Sequence, residues 1–548
     1  MKTNWFKDAI IYQIYPQSFM DSNDDGIGDL KGIVSRLDYL KDLGINCIWL
    51  SPIYKSPMAD NGYDISDYLD INPIYGKMDD LKLLIEEMHK RNLRLIMDLV
   101  VNHTSDEHEW FKAAKTSKDN PYHDYYIWRD KPNNWTGFFG DKAWTYNPET
   151  NEYYLHLFNK AQPDLNWENE KVREEVKKIC KYYLDLGVDG FRCDVINLIS
   201  KDQNFKNGHN KLILVGKKYF INGPRLHEYL QELNKDVLSN YDCMTVGETV
   251  FTNLEDIKLL TDESRNELSM VFNFDHTSVD NYLGVKWLMR RFKLKRLKKV
   301  LDHYQYGLKD SGWYSIFYEN HDQRRSVGRF NLKESKAFYT TKMLATAFYF
   351  LKGTPYIYQG EEIGMTNLDV ESIDEFIDVE TVDVIKVMKK LPLTMSYIEK
   401  SIKNGSRDNA RTPMQWDDST YAGFSNHEPW LRVNHNKDVI NVKNQLKDQS
   451  STLNYFKKLI KIYKEYQILN REGVYKDLLP KSNSLFCYER RCGNELLLVL
   501  TNFKDHKVKH KLLNKYQGFK QKILLNNYDN FDNSYLEPYQ AILIYLSK

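Results

Sequence analysis

Short apolar runs alternate with longer helical patterns in the first part of the chain. The runs cover residues 9–14, 47–50 and 95–101, and helical patterns at residues 30–43 and 79–91 separate them. Each run is almost continuously apolar, which is typical of parallel strands that are covered on both faces. The chain therefore begins with a predicted βαβαβ arrangement.

The same alternation continues to residue 358. A helix is expected over residues 170–186, where apolar side chains recur at helical spacing and Gly187 follows the last turn. Five further strands are expected at residues 190–193, 244–247, 271–274, 316–318 and 355–358. Eight strands alternating with helices favour a closed (β/α)8 barrel, an α/β fold, over an open sheet.

Two regions interrupt this alternation. Residues 104–167 are rich in aromatic residues, Asn and Asp and are too long for an ordinary loop, so we predict a small domain inserted after the third strand, over the barrel mouth. From residue 478 the sequence becomes strand-like with Asn, Asp and Gly turns, which predicts a C-terminal antiparallel, sandwich-like β domain over residues 478–548. The predicted barrel domain comprises residues 1–103 and 168–477.

The composition argues against two classes of binding partner, nucleic acids and membranes. The chain has 548 residues, and 77 Lys and Arg balance 76 Asp and Glu. A near-zero net charge argues against nucleic acid, whose recognition usually requires a basic excess on one face. The longest apolar run, residues 343–351, is far shorter than the ~20 residues that cross a membrane, so no membrane partner is expected.

The N-terminus and the cysteines indicate a compartment. Charged residues stand where a signal peptide would need its hydrophobic segment, which makes secretion by that route unexpected. The six cysteines form no CxxC pair and no cluster at zinc spacing, so free thiols are expected. The sequence therefore predicts a cytoplasmic protein.

Charged residues fall at the ends of the predicted strands, where barrel enzymes place their catalytic groups. Asp194 and Glu248 end the fourth and fifth strands, Asp322 follows the seventh, and Arg192 stands two residues before Asp194. A single carboxylate there could be a helix cap or an ion-pair partner. Three in one pocket would repel one another, and function usually explains such crowding. The pattern suits glycoside hydrolysis, in which one carboxylate attacks the sugar and a protonated one assists the leaving oxygen.

Four strings, three of which contain these residues, resemble a known family. DLVVNH at residues 98–103, GFRCDVIN at 190–197, VGET at 246–249 and ENHDQ at 319–323 are similar, in order and spacing, to the four signature regions of the α-amylase family of glycoside hydrolases.

Four further strings resemble one branch of that family. They are MADNGYDISDY at residues 58–68, QPDLN at 162–166, GTPYIYQGEEIGMTN at 353–367 and SRDNARTPMQW at 406–416. This branch contains oligo-1,6-glucosidases, α-glucosidases and trehalose-6-phosphate hydrolases. The resemblance covers essentially the whole chain.

The resemblance implies a role for each charged residue. Asp194 is the nucleophile, Glu248 the general acid/base and Asp322 the residue that stabilises the transition state and binds sugar hydroxyls. Arg192 holds the nucleophile ionised, because an Arg within about 4–6 Å lowers the pKa of a carboxylate by roughly 1–3 units.

The resemblance also implies a pocket that is closed at one end. His103 and His321 would donate hydrogen bonds to the first glucose. Asp60, Tyr63 and Arg411 would close the pocket, with Tyr63 stacking on the sugar. A closed end implies an exo-acting enzyme for small oligosaccharides.

Aromatic residues of the inserted segment are expected mostly to form its core. One or two are expected to contact sugar, and Phe158 is assigned to the substrate among Trp135, Phe138, Phe139, Trp144 and Phe158.

Residues 21–29, DSNDDGIGD, predict a second site. Oxygen ligands at alternate positions with Gly at the sixth resemble the first half of a calcium loop, although Gly32 stands where an EF-hand carries Glu. The alternative is a turn that caps the next helix. The family resemblance favours structural Ca²⁺, held by Asp21, Asn23, Asp25, Asp29 and the carbonyl of Ile27. No organic cofactor is expected.

Val195, the residue after the nucleophile, predicts the linkage that is cleaved. Members of this branch that cleave α-1,6 bonds generally carry Val there, and members that prefer α-1,4 bonds carry Ala or Gly. The predicted function is therefore a retaining, exo-acting oligo-1,6-glucosidase that releases α-glucose from the non-reducing end of substrates such as isomaltose.

Three departures from the branch leave the substrate open. Thr249-Val250, Arg324-Arg325 and Ile377 stand where relatives usually carry Met-Pro, Pro-Arg and Arg. A broad-specificity or α-1,4 α-glucosidase and a trehalose-6-phosphate hydrolase remain alternatives. A phosphate would need a basic cluster at the mouth, for which the candidates are Lys286, Arg290, Arg291, Arg324 and Arg325.

A remote alternative is a non-catalytic interaction module of the same fold, as in the heavy-chain subunits of amino-acid transporters. That reading predicts a transmembrane helix and eroded catalytic residues, and the sequence has neither. We expect a monomer.

Overall fold

The computed structural model describes residues 3–210, 214–282, 284–330 and 332–548. Eight parallel strands form the central sheet, and they are β1 (Ile11–Ile14), β2 (Cys47–Leu50), β3 (Arg94–Leu99), β4 (Gly190–Cys193), β5 (Met244–Glu248), β6 (Met270–Phe272), β7 (Ser315–Ile316) and β8 (Thr354–Tyr358). Their order is β6-β5-β4-β3-β2-β1-β8-β7. A single parallel bridge between Val271 and Tyr314 brings the two ends of the sheet together. The predicted (β/α)8 barrel is confirmed.

The barrel helices cover the outside of the sheet, and the longer ones are amphipathic except Ala337–Tyr349, which is buried along nearly its whole length. They span Leu30–Ser35, Leu37–Leu43, Met78–Lys90, Glu170–Asp185, Leu226–Asp236, Leu254–Thr261, Leu294–Gly307 and Ala337–Tyr349. Gly187 adopts a φ of +102°, as a stop after the fourth helix requires. The single helix predicted over residues 30–43 is wrong, because Arg36 leaves helical geometry, with a φ of −110° and a ψ of 5°, and divides it in two.

Four strands are shorter or displaced relative to the prediction, and the runs at residues 9–14 and 95–101 form strands only over Ile11–Ile14 and Arg94–Leu99. Residues 271–274 were expected in the sixth strand, and 316–318 in the seventh, but β6 ends at Phe272 and β7 at Ile316. Residues 273–274 and 317–318 lie beyond the ends of these strands. After Ile316 the chain turns away from the sheet and carries His321 and Asp322 to the barrel mouth.

The segment at residues 104–167 contains a helix and a three-stranded antiparallel sheet. The helix is Glu109–Ala114, and the strands are Trp128–Arg129, Trp144–Asn147 and Glu152–Leu155. Isolated bridges join His103 to Asp164 and Tyr126 to Leu165, so both ends of the segment are tied together at the mouth.

Helices and a second sheet complete the chain. The helices are Val379–Met388, Met395–Gly405, Asp408–Arg411, Val442–Lys447, Thr452–Glu465 and Gln467–Glu472. The antiparallel sheet has the order Val474–Asp477, Leu485–Cys492, Glu495–Asn502, Ala541–Ser547 and Lys520–Asn526, and a ribbon pairs Val508–Lys509 with Tyr535–Leu536. The sheet begins four residues before the predicted boundary at 478. A buried ion pair of 3.1 Å between Lys298 and Asp477 connects it to the barrel.

Two further expectations from the sequence concern membrane-spanning helices and cysteines. Among the described residues, none of the helices combines the length and the apolar character that a membrane crossing needs. Cys47, Cys180, Cys193, Cys487 and Cys492 are free thiols, and of these five only Cys492 is exposed.

Candidate active site

The carboxyl ends of the barrel strands bring the predicted acidic residues together. Asp194 follows β4 directly, Glu248 is the last residue of β5, and Asp322 lies on the loop after β7. They line a cavity of about 90 Å³. Its other lining residues are Asp60, Tyr63, His103, Phe139, Phe158, Gln162, Val195 and Arg407.

One buried guanidinium serves three carboxylates. Nη1 of Arg192 donates to Asp98 and to Asp194, each at 2.5 Å, and Nη2 donates to Glu248. The indole N–H of Trp49 also donates to Asp98, at 3.0 Å. A single positive charge therefore opposes three carboxyl groups inside the barrel.

Burial decides the protonation of the two central carboxyls. Desolvation raises the pKa of Asp194 to about 6, although Arg192 works in the opposite direction. Desolvation also raises the pKa of Glu248 to about 8, again against Arg192, while the charges of Asp194 and Asp322 raise it further. Arg192 lowers the pKa of Asp194 in the predicted direction, but the cost of desolvation exceeds the attraction of the cation, so that this pKa stays above its usual value.

These two pKa values separate the two groups at neutral pH. Asp194 is mostly ionised and Glu248 is mostly protonated at pH 7. A carboxylate beside a carboxylic acid is the pair that retaining glycoside hydrolysis requires.

The third carboxyl has a different environment. Asp322 accepts a hydrogen bond from Nη2 of Arg411 at 3.0 Å, and Nη1 of Arg407 lies 3.5 Å from it. His321 Nε2 lies 3.2 Å from its second oxygen. Burial acts to raise the pKa of Asp322, but His321, Arg407 and Arg411 outweigh burial and hold that pKa well below its usual range. Asp322 therefore stays ionised.

Hydrogen bonds connect several residues that line the cavity. Gln162 Nε2 donates to Asp60 at 3.3 Å, and Arg407 Nη2 binds the other oxygen of Asp60 at 3.3 Å. The backbone carbonyl of Tyr63 lies 3.1 Å from His103 Nε2. These hydrogen bonds hold the side chains of Asp60, Gln162 and Arg407 in place, and we call these three residues the wall of the cavity.

Three of the predicted substrate-binding residues do not line the cavity. Arg192, His321 and Arg411 are almost fully buried and are absent from the cavity lining. Arg411 was expected to close the pocket, but it binds Asp322 and the carbonyl oxygen of His321, and Arg407 takes the position facing the cavity.

The sequence reasoning missed two polar residues of the cavity. Gln162 stands in the string QPDLN and Arg407 in the string SRDNARTPMQW, so both lay within motifs that carried the resemblance. Neither motif alone indicates which of its side chains faces the sugar.

The aromatic residues of the inserted segment divide into two groups. Phe139 and Phe158 line the cavity, and Phe138 stacks on Phe158 at a centroid distance of 4.8 Å. Trp135 and Trp144 are buried in the core of the segment.

Val195 lies between the two central carboxyls in a strained conformation. Its φ is +32°, which is a true outlier for a β-branched residue. Its backbone N–H lies 3.4 Å from Glu248, and its side chain is buried and lines the cavity. Strain of this kind clusters at functional sites, where the surrounding structure enforces it.

The predicted calcium loop is organised by its own hydrogen bonds. Asp21 accepts the N–H of Gly26 at 2.8 Å, Asp25 accepts that of Ile27 at 2.8 Å, and Asp29 caps the following helix through a backbone N–H at 2.7 Å. In the described part of the chain, no three His, Cys, Asp or Glu side chains are grouped so that they could hold a metal ion. The carboxylates keep further lone pairs, and hard oxygen donors fit Ca²⁺ chemically.

Comparison with known proteins places this site in a family. Residues 13–472 match the catalytic domain of alpha amylase. The chain is 50% identical over 538 residues to the oligo-1,6-glucosidase of Parageobacillus thermoglucosidasius, covering 96% of each chain. It is 43% identical over 559 residues to the trehalose-6-phosphate hydrolase of Bacillus subtilis, covering 100% of this chain and 99% of the relative. The trehalose-6-phosphate hydrolase structure of Bacillus licheniformis matches 99% of this chain and 100% of its own with a TM-score of 0.96 and 43% identity.

The barrel and its carboxylate-lined cavity thus define a glycoside hydrolase. The chain belongs to the α-amylase family. Its resemblance to the branch of oligo-1,6-glucosidases and trehalose-6-phosphate hydrolases is confirmed by these relatives, and the remote alternative of a non-catalytic module is set aside.

Proposed function

We propose that the chain is an exo-acting oligo-1,6-glucosidase that releases α-glucose from the non-reducing end of isomaltose and its short homologues. The observation that carries the proposal is the pair formed by Asp194 and Glu248, which one arginine binds but which differ in protonation at neutral pH. The wall of Asp60, Gln162 and Arg407 supports exo action, because a chain cannot extend beyond it.

The reaction proceeds in two steps at this pair. Glu248 gives its proton to the glycosidic oxygen while a carboxylate oxygen of Asp194 bonds to the anomeric carbon, and the shortened sugar leaves. The Glu248 carboxylate then takes a proton from water, whose oxygen displaces Asp194 and releases glucose with its α configuration retained. Asp322 stays ionised throughout and holds sugar hydroxyls.

The alternative with a phosphorylated substrate has little support at the mouth. Arg325 is fully buried and binds Glu319 at 3.1 Å. Arg324 binds Asp280 at 2.6 Å, and Lys286 binds Glu380 at 2.5 Å. These three members of the candidate basic cluster are therefore already neutralised by carboxylates.

A substrate panel tests the proposed function. Purified protein should hydrolyse isomaltose with a kcat/KM at least about tenfold above that for maltose, a difference of roughly 1.4 kcal/mol in transition-state binding. Proton NMR of the first product should show α-glucose. Equal rates on the two disaccharides would favour a broad-specificity α-glucosidase, and a preference for trehalose 6-phosphate would favour the phosphate-dependent alternative.

We also propose that residues 21–29 bind Ca²⁺ in a structural role. The ion would be held by carboxylate oxygens of Asp21, Asp25 and Asp29, the amide oxygen of Asn23 and the carbonyl of Ile27. The alternating oxygen donors in the sequence support this, whereas the helix cap made by Asp29 and the lack of three grouped ligand side chains among the described residues favour the metal-free alternative.

Chelation tests the calcium proposal. Because an ion that binds only the folded state stabilises it, EDTA should lower Tm by a few degrees and excess Ca²⁺ should restore it. Asp25→Ala should abolish this response. Asp24→Ala is the matched control, since Asp24 is equally exposed but is not a proposed ligand, and it should keep the response. A Tm that is insensitive to EDTA in the wild type would contradict the proposal.

We place the enzyme in the cytoplasm as a monomer. The free thiols of Cys47, Cys180, Cys193, Cys487 and Cys492 support a reducing compartment.

A further inference from the structure

The loop after Glu248 carries a large apolar side chain that the fold leaves open. Phe251 lies three residues beyond the end of β5, and 58% of it is exposed. The ammonium of Lys217 lies 4.9 Å from the centroid of its ring. Most of the phenyl ring therefore faces solvent at the same end of the barrel as the carboxyl pair.

The backbone of Phe251 is also strained. Its φ is +55°, a region that L residues other than Asn and Asp rarely adopt. The large apolar residues at positive φ in the described ranges are Met58, Val195, Phe205, Leu214, Phe251, Phe330 and Tyr539. All of them except Phe251 are buried or partly buried, so packing can hold them in place. Burial offers no compensation at Phe251, and Gly would fit the backbone better.

A side-chain clamp holds this backbone in place. The amide of Asn197 donates to the carbonyl of Val250 at 2.9 Å and accepts the N–H of the same residue at 3.2 Å. Val250 packs against the cluster that contains Val195. The loop is therefore fixed, and the ring is presented at little further entropic cost when a ligand binds.

The chemistry of the proposed reaction indicates which part of the substrate lies near the Phe251 ring. Glu248 protonates the oxygen that joins the cleaved glucose to the rest of the substrate, so the leaving sugars lie on the side of Glu248. Three residues span at most roughly 11 Å, which places Phe251 within reach of the first leaving-group sugars.

We propose that the open face of the Phe251 ring is a stacking platform for the leaving-group sugars of isomalto-oligosaccharides, with Lys217, which lies over the other face, as a polar partner. This inference rests on the proposed function and names a specificity-determining residue for it. The apolar C–H face of a glucose unit covers the phenyl ring, as in other sites where aromatic walls and a few polar groups orient a ligand.

The test measures how strongly activity depends on the leaving group. Isomaltotriose has two leaving-group sugars, whereas α-glucosyl fluoride has none. Phe251→Gly should lower the ratio of kcat/KM for isomaltotriose to kcat/KM for α-glucosyl fluoride about tenfold, and Phe251→Tyr should preserve it. Ile468→Ala, at an apolar residue that is 63% exposed on the helix Gln467–Glu472, is the matched control and should leave the ratio unchanged.

Stability separates a binding role from a structural one. Because Gly accepts a positive φ, Phe251→Gly should melt at or above the wild-type Tm. A lower Tm, or an unchanged ratio, would overturn the inference. Failure of the proposed function itself has another signature: the wild-type protein would cleave α-glucosyl fluoride but not isomaltotriose, and both proposals would fall.

Discussion

Glu248→Gln lowers kcat on isomaltose by about 10²–10⁴, the usual contribution of a positioned acid and base, and Asp194→Asn lowers it at least as much. Each substitution keeps the size of the side chain and removes one chemical role. The loss is measured by steady-state kinetics on purified variants whose circular dichroism matches the wild type. Retention of more than about a tenth of the wild-type kcat, a barrier change of only ~1.4 kcal/mol, would remove that residue from the mechanism.

Substrate choice and pH provide the controls for this pair. Fluoride leaves without a proton, so Glu248→Gln should lose less on α-glucosyl fluoride than on isomaltose, while Asp194→Asn should stay inactive on both. Because Glu248 must be protonated to act and its pKa is about 8, wild-type kcat/KM on isomaltose should fall above that pH. It should also fall below about pH 6, as Asp194 gains a proton. An alkaline limb that survives in Glu248→Gln would belong to another group.

Val195→Ala raises kcat/KM for maltose relative to isomaltose by about 10–200-fold, or roughly 1–3 kcal/mol in relative transition-state binding. Val195 is stiff at χ1, lines the cavity and lies against Glu248, so it fills space beside the bond that is cleaved. A 4-linked sugar approaches that space closely, whereas the CH₂ arm of a 6-linked sugar extends past it. Val195→Thr has nearly the same shape and is the matched control.

An unchanged ratio in Val195→Ala would show that Val195 only packs against the barrel wall. The strained backbone gives a second check. Ala loses the β-branch that makes a φ of +32° most costly, so the variant should not melt below the wild type by more than the loss of two buried methyl groups, about 1.6 kcal/mol, explains.

Local patterns located all eight barrel strands but gave exact bounds for only two, because an apolar run can extend beyond the paired backbone, as it does before β1 and after β3. The bounds of β2 and β4 match the predicted strands at residues 47–50 and 190–193. Those of β6 and β7 do not, because where a short strand ends depends on a partner that is distant in sequence.

The sequence motifs likewise predicted only part of the active site. Motifs located Asp194, Glu248 and Asp322, since each stands at a strand end or on the loop beyond it. They did not distinguish Arg407 from Arg411, which lie about one turn apart on the same side of the short helix Asp408–Arg411 and both contact Asp322, so that the position along the helix axis decides which one lines the cavity. The motifs also could not predict the pKa of Asp194. The balance between desolvation and the attraction of Arg192 depends on how deeply the folded protein buries this carboxyl group.

The single bridge between Val271 and Tyr314 has a consequence for how activity is lost on heating. Neighbouring strands elsewhere in the barrel share two to four paired positions, whereas this seam shares one. Local opening begins where backbone pairing is weakest. The chain that leaves the seam carries Asp322, while Asp194 and Glu248 extend from well-paired strands. Warming should therefore displace Asp322, the proposed transition-state stabiliser, first, and the enzyme should become inactive while most of its barrel is still folded.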